Sequence, residues 1–281
     1  MTTAVTPASL AEAVEHLKAD PGLVPVCGCT DLMVVEPEHR ARMDRVLDLL
    51  RIREIRGVTT TGDWLQIGAT TTFAELRRSD PVRERFPALA EAAGVVGGWQ
   101  IQNRATLGGN VANASPAGDS LPVLLALGAR IVLVGPSGTR DIAYDDFHVG
   151  YRTTMRQPDE IIAWIRLPMP RRDAFQSFRK VGTREAQAIS KVVVALAGHM
   201  ANGRIGDARL AAGSVAPTPI RLRRAEEALR DQAVTHDVAA AAGRAAAAEV
   251  SPIDDVRSTA AYRKYVLERI VRRMVLEIRQ S

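Results

Sequence analysis

The hydrophobic and polar positions of the first 170 residues alternate quickly between a helical and an extended period. Two capping boxes, at residues 9–12 and 72–75, indicate helix starts because each places a hydroxyl three residues before a glutamate. Gly62 and Asp63 have the composition of a hairpin turn. These patterns predict helices over 10–18, from 72, over 87–96 and over 121–127, and strands over 23–26, 45–49, 58–67, 130–134 and 161–167.

The pattern changes after Pro168 and Pro170, where a meander of three strands is predicted. Asn202 and Gly203 provide its two-residue turn, and Thr218 followed by a proline predicts a helix start. The predicted elements are strands over 174–181, 191–197 and 207–213, and helices over 221–230, 238–250 and 259–279. The last helix has an apolar stripe that is predicted to be core, made of Tyr262, Val266, Ile270, Met274 and Ile278 with Leu267, Val271 and Val275 beside it. The chain is therefore predicted to be an α+β protein whose two lobes divide near residues 170–175.

Length and composition indicate a globular protein. The chain has 281 residues, 46% hydrophobic and 25% charged, which is enough for two or three lobes with their own cores. Its net charge of +5 is spread along the chain and aromatic residues make up only 4%, which argues against a nucleic-acid-binding protein. The sequence predicts no signal peptide and no integral membrane segment, so a cytoplasmic location is expected.

Two glycine-containing segments are the candidate binding elements. Residues 106–119 hold the adjacent glycines Gly108 and Gly109 with two asparagines and an aspartate, and residues 26–31 form a shorter segment of the same kind. Glycine lets a ligand lie against the backbone, and successive free amides favour an anion such as a diphosphate. One extended ligand that bridges both segments is the hypothesis, and the alternative is two ordinary turns. Neither segment has the spacing of a Rossmann or P-loop motif.

The two cysteines, Cys27 and Cys29, lie inside the first segment. They are separated by one residue with no histidine nearby, so they cannot complete a tetrahedral metal site by themselves. A disulfide is disfavoured in a reducing cytosol. They are interpreted as small residues next to a ligand.

Residues 100–122, which read QIQNRATLGGNVANASPAGDSLP, resemble a flavin motif of a known family. That pattern, roughly Q-I-R-N-x-G-T-I-G-G-N-x-x-x-A-x-P-x-x-D, occurs in the FAD-binding medium subunits of the molybdenum hydroxylases of the carbon monoxide dehydrogenase and xanthine dehydrogenase type. Residues 26–31 fall where the family has A-G-G-T-D or A-G-G-H-S. The similarity continues through residues 65–76, 150–154, 159–162, 205–210, 214–219 and 255–263, so it covers nearly the whole chain.

The resemblance implies a fold and a cofactor. The fold is a two-subdomain FAD-binding domain of the vanillyl-alcohol-oxidase (PCMH) type, over 1–57 and 58–172, followed by a smaller α+β C-terminal domain over 173–281. FAD would lie extended between the lobes. Carried over by position, the implied FAD-binding residues are Val26, Cys27, Gly28, Cys29, Thr30 and Asp31 for the diphosphate, Thr106, Gly108, Gly109, Asn110, Asn113 and Asp119 for phosphate and sugar-side contacts, and Lys191 near the flavin.

The chain departs from the family pattern in both segments. Cys27 and Cys29 replace an alanine and a glycine, and Ala105 replaces a common glycine. Because Cys29 carries a Cβ where the backbone approaches phosphate, its φ is expected to be negative or the loop slightly shifted. Lys191 also has a second interpretation as a solvated strand lysine.

No catalytic set is visible in the sequence. We find no nucleophile triad, no carboxylate pair placed by a motif and no four-cysteine iron–sulfur pattern, and the five histidines are scattered. The resemblance implies an electron-transfer subunit that works with a large molybdenum-cofactor subunit and a small [2Fe–2S] subunit, as a dimer of heterotrimers, with both metal cofactors held by those partners. The alternatives are a stand-alone flavin-dependent reductase and a flavin-free scaffold subunit.

Overall fold

The computed structural model describes residues 3–34 and 44–278. The first lobe is a three-stranded parallel sheet, in the order β1-β3-β2, with helix α1 against it. Its elements are β1 (Thr3–Val5), α1 (Leu10–Ala19), β2 (Val24–Val26) and β3 (Arg45–Asp48). The predicted helix start is confirmed, because the Ser9 hydroxyl accepts a hydrogen bond from the Glu12 amide at 3.1 Å. Ile161 and Ala163 of the second lobe share this core, so the two lobes are packed together.

The second lobe is a five-stranded antiparallel sheet in the order β4-β5-β10-β6-β7, with helices on one face. Its strands are β4 (Val58–Thr61), β5 (Trp64–Gly68), β6 (Arg130–Gly135), β7 (Gly138–Ala143) and β10 (Ile161–Pro168). A small separate sheet is formed by β8 (His148–Gly150) and β9 (Thr153–Thr154). Its helices are α2 (Phe73–Arg78), α3 (Asp80–Arg85), α4 (Pro87–Val95), α5 (Trp99–Gln102), α6 (Leu107–Asn113), α7 (Leu121–Ala126) and α8 (Tyr144–Phe147). The hairpin turn predicted at Gly62 is confirmed, with φ +57°. The capping box at Thr72 is confirmed as well.

The third lobe is a four-stranded antiparallel sheet followed by three helices. The strands, in sheet order, are β11 (Ala174–Val181), β12 (Val192–Ala201), β13 (Arg204–Gly213) and β14 (Ile220–Arg221), and the helices are α9 (Arg223–Leu229), α10 (His236–Ala248) and α11 (Ala260–Leu276). Asn202 and Gly203 have φ of +52° and +73°, which confirms the turn because a type I′ turn needs both central residues in this region.

Both faces of this third sheet are buried. Along β12, Val193 and Ala195 pack into the core of the second lobe, whereas Val194 and Leu196 pack against helices α9 to α11. Since alternate residues of a strand point to opposite faces, one strand serves both cores. The third lobe is therefore held against the second by apolar packing.

Two predicted helix features are wrong. The residues after Thr218 form strand β14 and not the helix start, and α9 begins only at Arg223, where the Glu249 carboxylate accepts hydrogen bonds from the Arg224 and Ala225 amides at 3.1 and 3.2 Å. That cap comes from a residue about 25 positions away, so no local pattern indicates it.

The apolar stripe predicted for the last helix is also partly wrong. Tyr262 is exposed, and the buried face includes Arg263 along with Leu267 and Val271. The Arg263 guanidinium donates hydrogen bonds to the carbonyl oxygens of Lys191 and Ser214 at 2.8 and 2.9 Å. Arg263 therefore lies on the face of the helix that packs against the sheet. Among the described residues, no helix is long and apolar enough to span a membrane.

Candidate functional site

A cleft of about 860 Å³ lies between the lobes and is lined by residues from all three. Its volume is within the range of about 300–1,000 Å³ typical of cofactor and ligand sites. Twelve of the thirteen predicted site residues line it: Val26, Cys27, Gly28, Cys29, Thr30, Asp31, Thr106, Gly108, Gly109, Asn110, Asn113 and Asp119. The structure therefore brings two segments, which begin eighty residues apart, to one surface.

The two segments touch at Gly28. A Cβ at this position would overlap the carbonyl oxygen of Arg104, two residues before the second segment. Next to it, Cys27 and Thr106 line the same part of the cleft. The absence of a side chain at Gly28 is thus what allows the first segment to lie against the second.

Cys29 adopts a left-handed backbone conformation with φ +58°. Of the two expected alternatives, a negative φ or a slightly shifted loop, the negative φ is therefore wrong. The chain turns here from strand β2 into a short 3₁₀ helix (Leu32–Val34), and the Met33 amide donates to the Cys29 carbonyl oxygen at 3.0 Å. A glycine takes this conformation most easily, which accounts for the glycine in the family pattern. Cys29 takes this conformation although it carries a side chain.

The first segment has backbone donors without an acceptor among the described residues. None of the amides of residues 27–31 donates a hydrogen bond to another described residue. Successive amides of this kind form an anion-binding concavity. This observation fits a diphosphate, because the donors line the cleft and point to no protein acceptor in the part of the chain that the structure describes.

The second segment is not the open loop that its glycines suggest. Residues 107–113 form helix α6, which is capped by the Thr106 hydroxyl. The amides that were expected to be free have protein acceptors: Leu107 donates to Thr71, Gly108 to Ala69, and Gly109 and Asn110 to Thr106. The prediction of consecutive free amides here is therefore wrong. This segment faces the cleft with side chains and with the helix backbone at Gly109.

The paired glycines of this helix differ in their surroundings. A Cβ on Gly108 would lie 2.5 Å from the Cβ of Ala69, so this glycine allows α6 to pack against the end of β5. A Cβ on Gly109 would meet only the Thr106 hydroxyl, at 2.9 Å, among the described residues. Gly108 is thus a packing residue, whereas Gly109 leaves room for a ligand to approach the backbone.

Both thiols of the first segment are protonated at neutral pH. Burial raises the pKa of Cys27 to about 12, and burial together with the charge of Asp48 raises the pKa of Cys29. A thiol reacts as the thiolate, so neither group is activated as a nucleophile. The interpretation as small residues beside a ligand is consistent with this environment.

Asp119 is buried and bound on both oxygens by residues of the third lobe. Lys180 Nζ donates to one carboxylate oxygen at 2.6 Å and the Ser190 hydroxyl to the other at 2.5 Å. Burial raises the pKa of Asp119, and the opposite effects of Lys180 and Ser190 do not cancel it. Lys180 also donates to the Val95 carbonyl oxygen at 2.9 Å. This cluster joins the third lobe to one end of the cleft.

Lys191 is not brought to the cleft with the other predicted residues. It directly precedes strand β12, and its ammonium lies 5.4 Å from the ring centroid of Tyr262 on helix α11. This arrangement matches a cation–π contact within the third lobe. In its place, the third lobe presents Gln187, Ala188 and Ile189 to the cleft.

Sequence reasoning missed four charged residues of this region: Lys180, Arg152, Arg156 and Glu160. The last three line the cleft. Arg152 lies in the Gly-Tyr-Arg-Thr-Thr stretch that already carried part of the resemblance, and that stretch was the available signal. Lys180 had no local signal, because its partner Asp119 lies 61 positions away.

The described residues of the cleft are arranged to hold a ligand. Among residues 3–34 and 44–278, no group of three or more His, Cys, Asp or Glu side chains is placed to bind a metal ion. The Asp119 and Glu160 carboxylates that line it are paired with Lys180 and Arg140. The chemistry of such a site would come from the bound cofactor, with the protein positioning it.

Comparison with known proteins agrees with this geometry. The carbon monoxide dehydrogenase medium chain of Hydrogenophaga pseudoflava is 32% identical over 245 residues, which cover 86% of this chain and 82% of the relative. The xanthine dehydrogenase FAD-binding subunit of Escherichia coli O157:H7 is 29% identical over 272 residues, 96% of this chain and 93% of the relative.

A solved structure shows the same fold. The chain superposes with a TM-score of 0.93 on a chain of the carbon monoxide dehydrogenase from Hydrogenophaga pseudoflava that lacks the Mo-pyranopterin moiety of its cofactor, with 30% identity and coverage of 97% of this chain and 95% of that chain. Residues 176–278 match the family of CO dehydrogenase flavoprotein C-terminal domains. Residues 1–170 match the family described as the FAD binding domain in molybdopterin dehydrogenase, and the chain therefore belongs to this family of FAD-binding oxidoreductase subunits.

Proposed function

We propose that this chain is the electron-transfer subunit of a molybdenum hydroxylase, which receives electrons from the [2Fe–2S] clusters of a partner subunit and passes them to an external acceptor. The observation that carries the proposal is the convergence of residues 26–31 and 106–119 on one cleft, in a chain of this family. The proposal includes domains at 1–57, 58–172 and 173–281, with FAD between them.

The residues of the chain would bind and orient the cofactor. The amides of residues 27–31, which have no acceptor among the described residues, fit the diphosphate, and the open side of Gly109 fits a close approach of the ligand to the helix. Asp119 and the residues at 187–189 lie where the third lobe meets the cleft, so this end would be closed by two lobes. When bound, FAD supplies the step between single-electron donors and a two-electron acceptor.

The proposed partners are a large molybdenum-cofactor subunit and a small [2Fe–2S] subunit, assembled as a dimer of heterotrimers. Two relatives support this proposal by name, since they are the medium chain and the FAD-binding subunit of larger dehydrogenases. The substrate would then be set by the large subunit.

Purification of the native complex through a tag on this chain tests the proposal. We expect three polypeptides. For each molybdenum atom, the complex should contain one FAD and two [2Fe–2S] clusters. After FAD is removed, we expect dithionite to reduce the clusters as before, while transfer of their electrons to an external acceptor is lost.

Two results would contradict the proposal. Isolation of the chain without molybdenum or iron, together with reduction of a small substrate by the chain alone, would indicate a stand-alone flavin reductase. A complex that contains the chain but shows no flavin absorbance would indicate a scaffold subunit.

A further inference from the structure

Arg152 connects the two binding segments from a third place in the chain. It lies in the tight turn between strands β8 and β9, and its Nη1 donates to the Asn113 side-chain oxygen at 2.7 Å. The same nitrogen is 3.6 Å from an oxygen of Asp31. One guanidinium therefore reaches the end of the first segment and the end of helix α6.

Arg152 has a backbone conformation that arginine does not favour. Its φ is +52°, a left-handed conformation that is unfavourable for a residue with a Cβ. Glycine or asparagine takes this conformation more easily, so a tight turn alone would not favour arginine here. The contribution of arginine at this position is its long cationic side chain.

Most other charges that line the cleft are already bound. Arg156 Nη1 donates to the carbonyl oxygens of residues 157, 158 and 160, at 2.9, 3.2 and 2.9 Å. Glu160 is held by Arg140 at 2.6 Å, and Asp119 by Lys180 at 2.6 Å. The looser pair, at 3.6 Å, is Arg152 with Asp31.

Most N–H donors of the Arg152 guanidinium have no acceptor among the described residues. It has five N–H groups, and within residues 3–34 and 44–278 its hydrogen bonds go to Asn113 alone. The side chain is 43% exposed and lines the cleft, beside the segment with free amides. A guanidinium matches a phosphate because it can donate two parallel hydrogen bonds to its oxygens.

We propose that Arg152 is a binding residue for the diphosphate of the dinucleotide, and that it makes the cleft prefer FAD over flavins without a diphosphate. The inference rests on the proposed binding of FAD in this cleft. In this role, Asn113 and Asp31 hold the guanidinium at the junction of the two segments.

Titration of the full-length apo chain with FAD and with riboflavin, followed by flavin fluorescence at low and high salt, tests the inference. Riboflavin has the same ring system without the diphosphate. We expect Arg152→Gln to weaken FAD binding by roughly 10- to 100-fold, the effect of losing a hydrogen bond to a charged group, and to leave riboflavin binding unchanged. The salt dependence of FAD binding should decrease in the same variant.

Two further variants complete the experiment. Arg172→Gln removes the same charge from an exposed position outside the cleft and is expected to bind FAD like the wild type. Arg152→Lys keeps the charge without the planar fork, so it should bind FAD with intermediate affinity. It also provides the comparison if Arg152→Gln fails to fold, which thermal unfolding of each apo variant monitors.

Unchanged FAD affinity in Arg152→Gln, or equal losses for FAD and riboflavin, would overturn the inference. The second result would make Arg152 a purely structural link between the segments. A wild-type chain that binds no FAD would contradict the proposed function itself, and it is recognised without any substitution.

Discussion

Cys29 concentrates the backbone strain of the first segment in one residue. Its φ of +58° places a side chain in a region where L-residues lose about 1–2 kcal/mol relative to the right-handed conformation. Cys27, two residues earlier, is not among the residues with positive φ, and it packs against the core of the first lobe. A glycine at position 29 would therefore relieve backbone strain, whereas a glycine at position 27 would only remove packing.

Replacement of Cys29 by glycine should stabilise the protein. We expect Cys29→Gly to raise the free energy of unfolding by about 0.5–1 kcal/mol, because the strain at this position is relieved. The matched variant Cys27→Gly should lower it, since that residue loses packing without any relief of strain. Thermal unfolding of the apo chain measures both, and equal losses in the two variants would contradict a left-handed backbone at Cys29.

Several backbone conformations and site residues could not be predicted from the sequence. Asn202 and Gly203 could be predicted as a turn because both residue types favour positive φ, whereas a cysteine gives no such signal. Lys180 could not be predicted as a site residue because its partner Asp119 is distant in sequence, whereas the signal for Arg152 was its place in a stretch that carries the family resemblance. Position in the family pattern located the first segment but not its conformation.

At the scale of elements, helix α6 shows how a glycine pair can mislead. Glycine weakens a helix by about 1 kcal/mol relative to alanine, so Gly108 and Gly109 argue for a loop when read alone. The Thr106 hydroxyl caps the helix, and close packing of Gly108 on Ala69 supports it from the tertiary structure. The capping threonine was the readable signal, whereas the packing was not.

A buried ion pair lies between strand β11 and the end of the cleft. The Lys180 and Asp119 side chains are only 8% and 9% exposed, and they join the third lobe to the second. A buried pair is weak evidence for added stability, but removal of one partner leaves the other charge uncompensated. The pair therefore adds a polar link to the apolar packing between these two lobes.

Lys180→Met should be strongly destabilising. We expect a loss of about 3 kcal/mol in the free energy of unfolding, because the Asp119 carboxylate is left buried without its cation. Arg179→Met is the matched control on the same strand: its ion pair with Glu277 is 43% and 35% exposed, so we expect a loss below about 1 kcal/mol.

A double variant completes this test by denaturant unfolding. Lys180→Met combined with Asp119→Leu should recover part of the loss, since an apolar pair replaces a buried ionic one. A Lys180→Met variant as stable as the Arg179→Met control would contradict the role of the pair.

At the scale of the whole molecule, the cleft exists because three lobes pack around it. The first lobe shares its core with strand β10, and the third sheet contributes alternate residues of β12 to the core of the second lobe. These shared cores hold residues 26–31, helix α6 and residues 187–189 on one surface. The order of helices and strands could be predicted in outline, but this convergence depends on tertiary packing. The two glycine-containing segments suggested it as a hypothesis, and the family resemblance supported that hypothesis.

Backbone amide hydrogen exchange of the full chain, with and without saturating FAD, tests the central claim most directly. If both segments bind one dinucleotide, FAD should slow amide hydrogen exchange in residues 27–31 and 106–119 together. The largest change should be at the amides of the first segment. Surface strands away from the cleft, such as β7, should exchange at the same rate in both samples. Protection of only one segment, or of neither, would contradict the account.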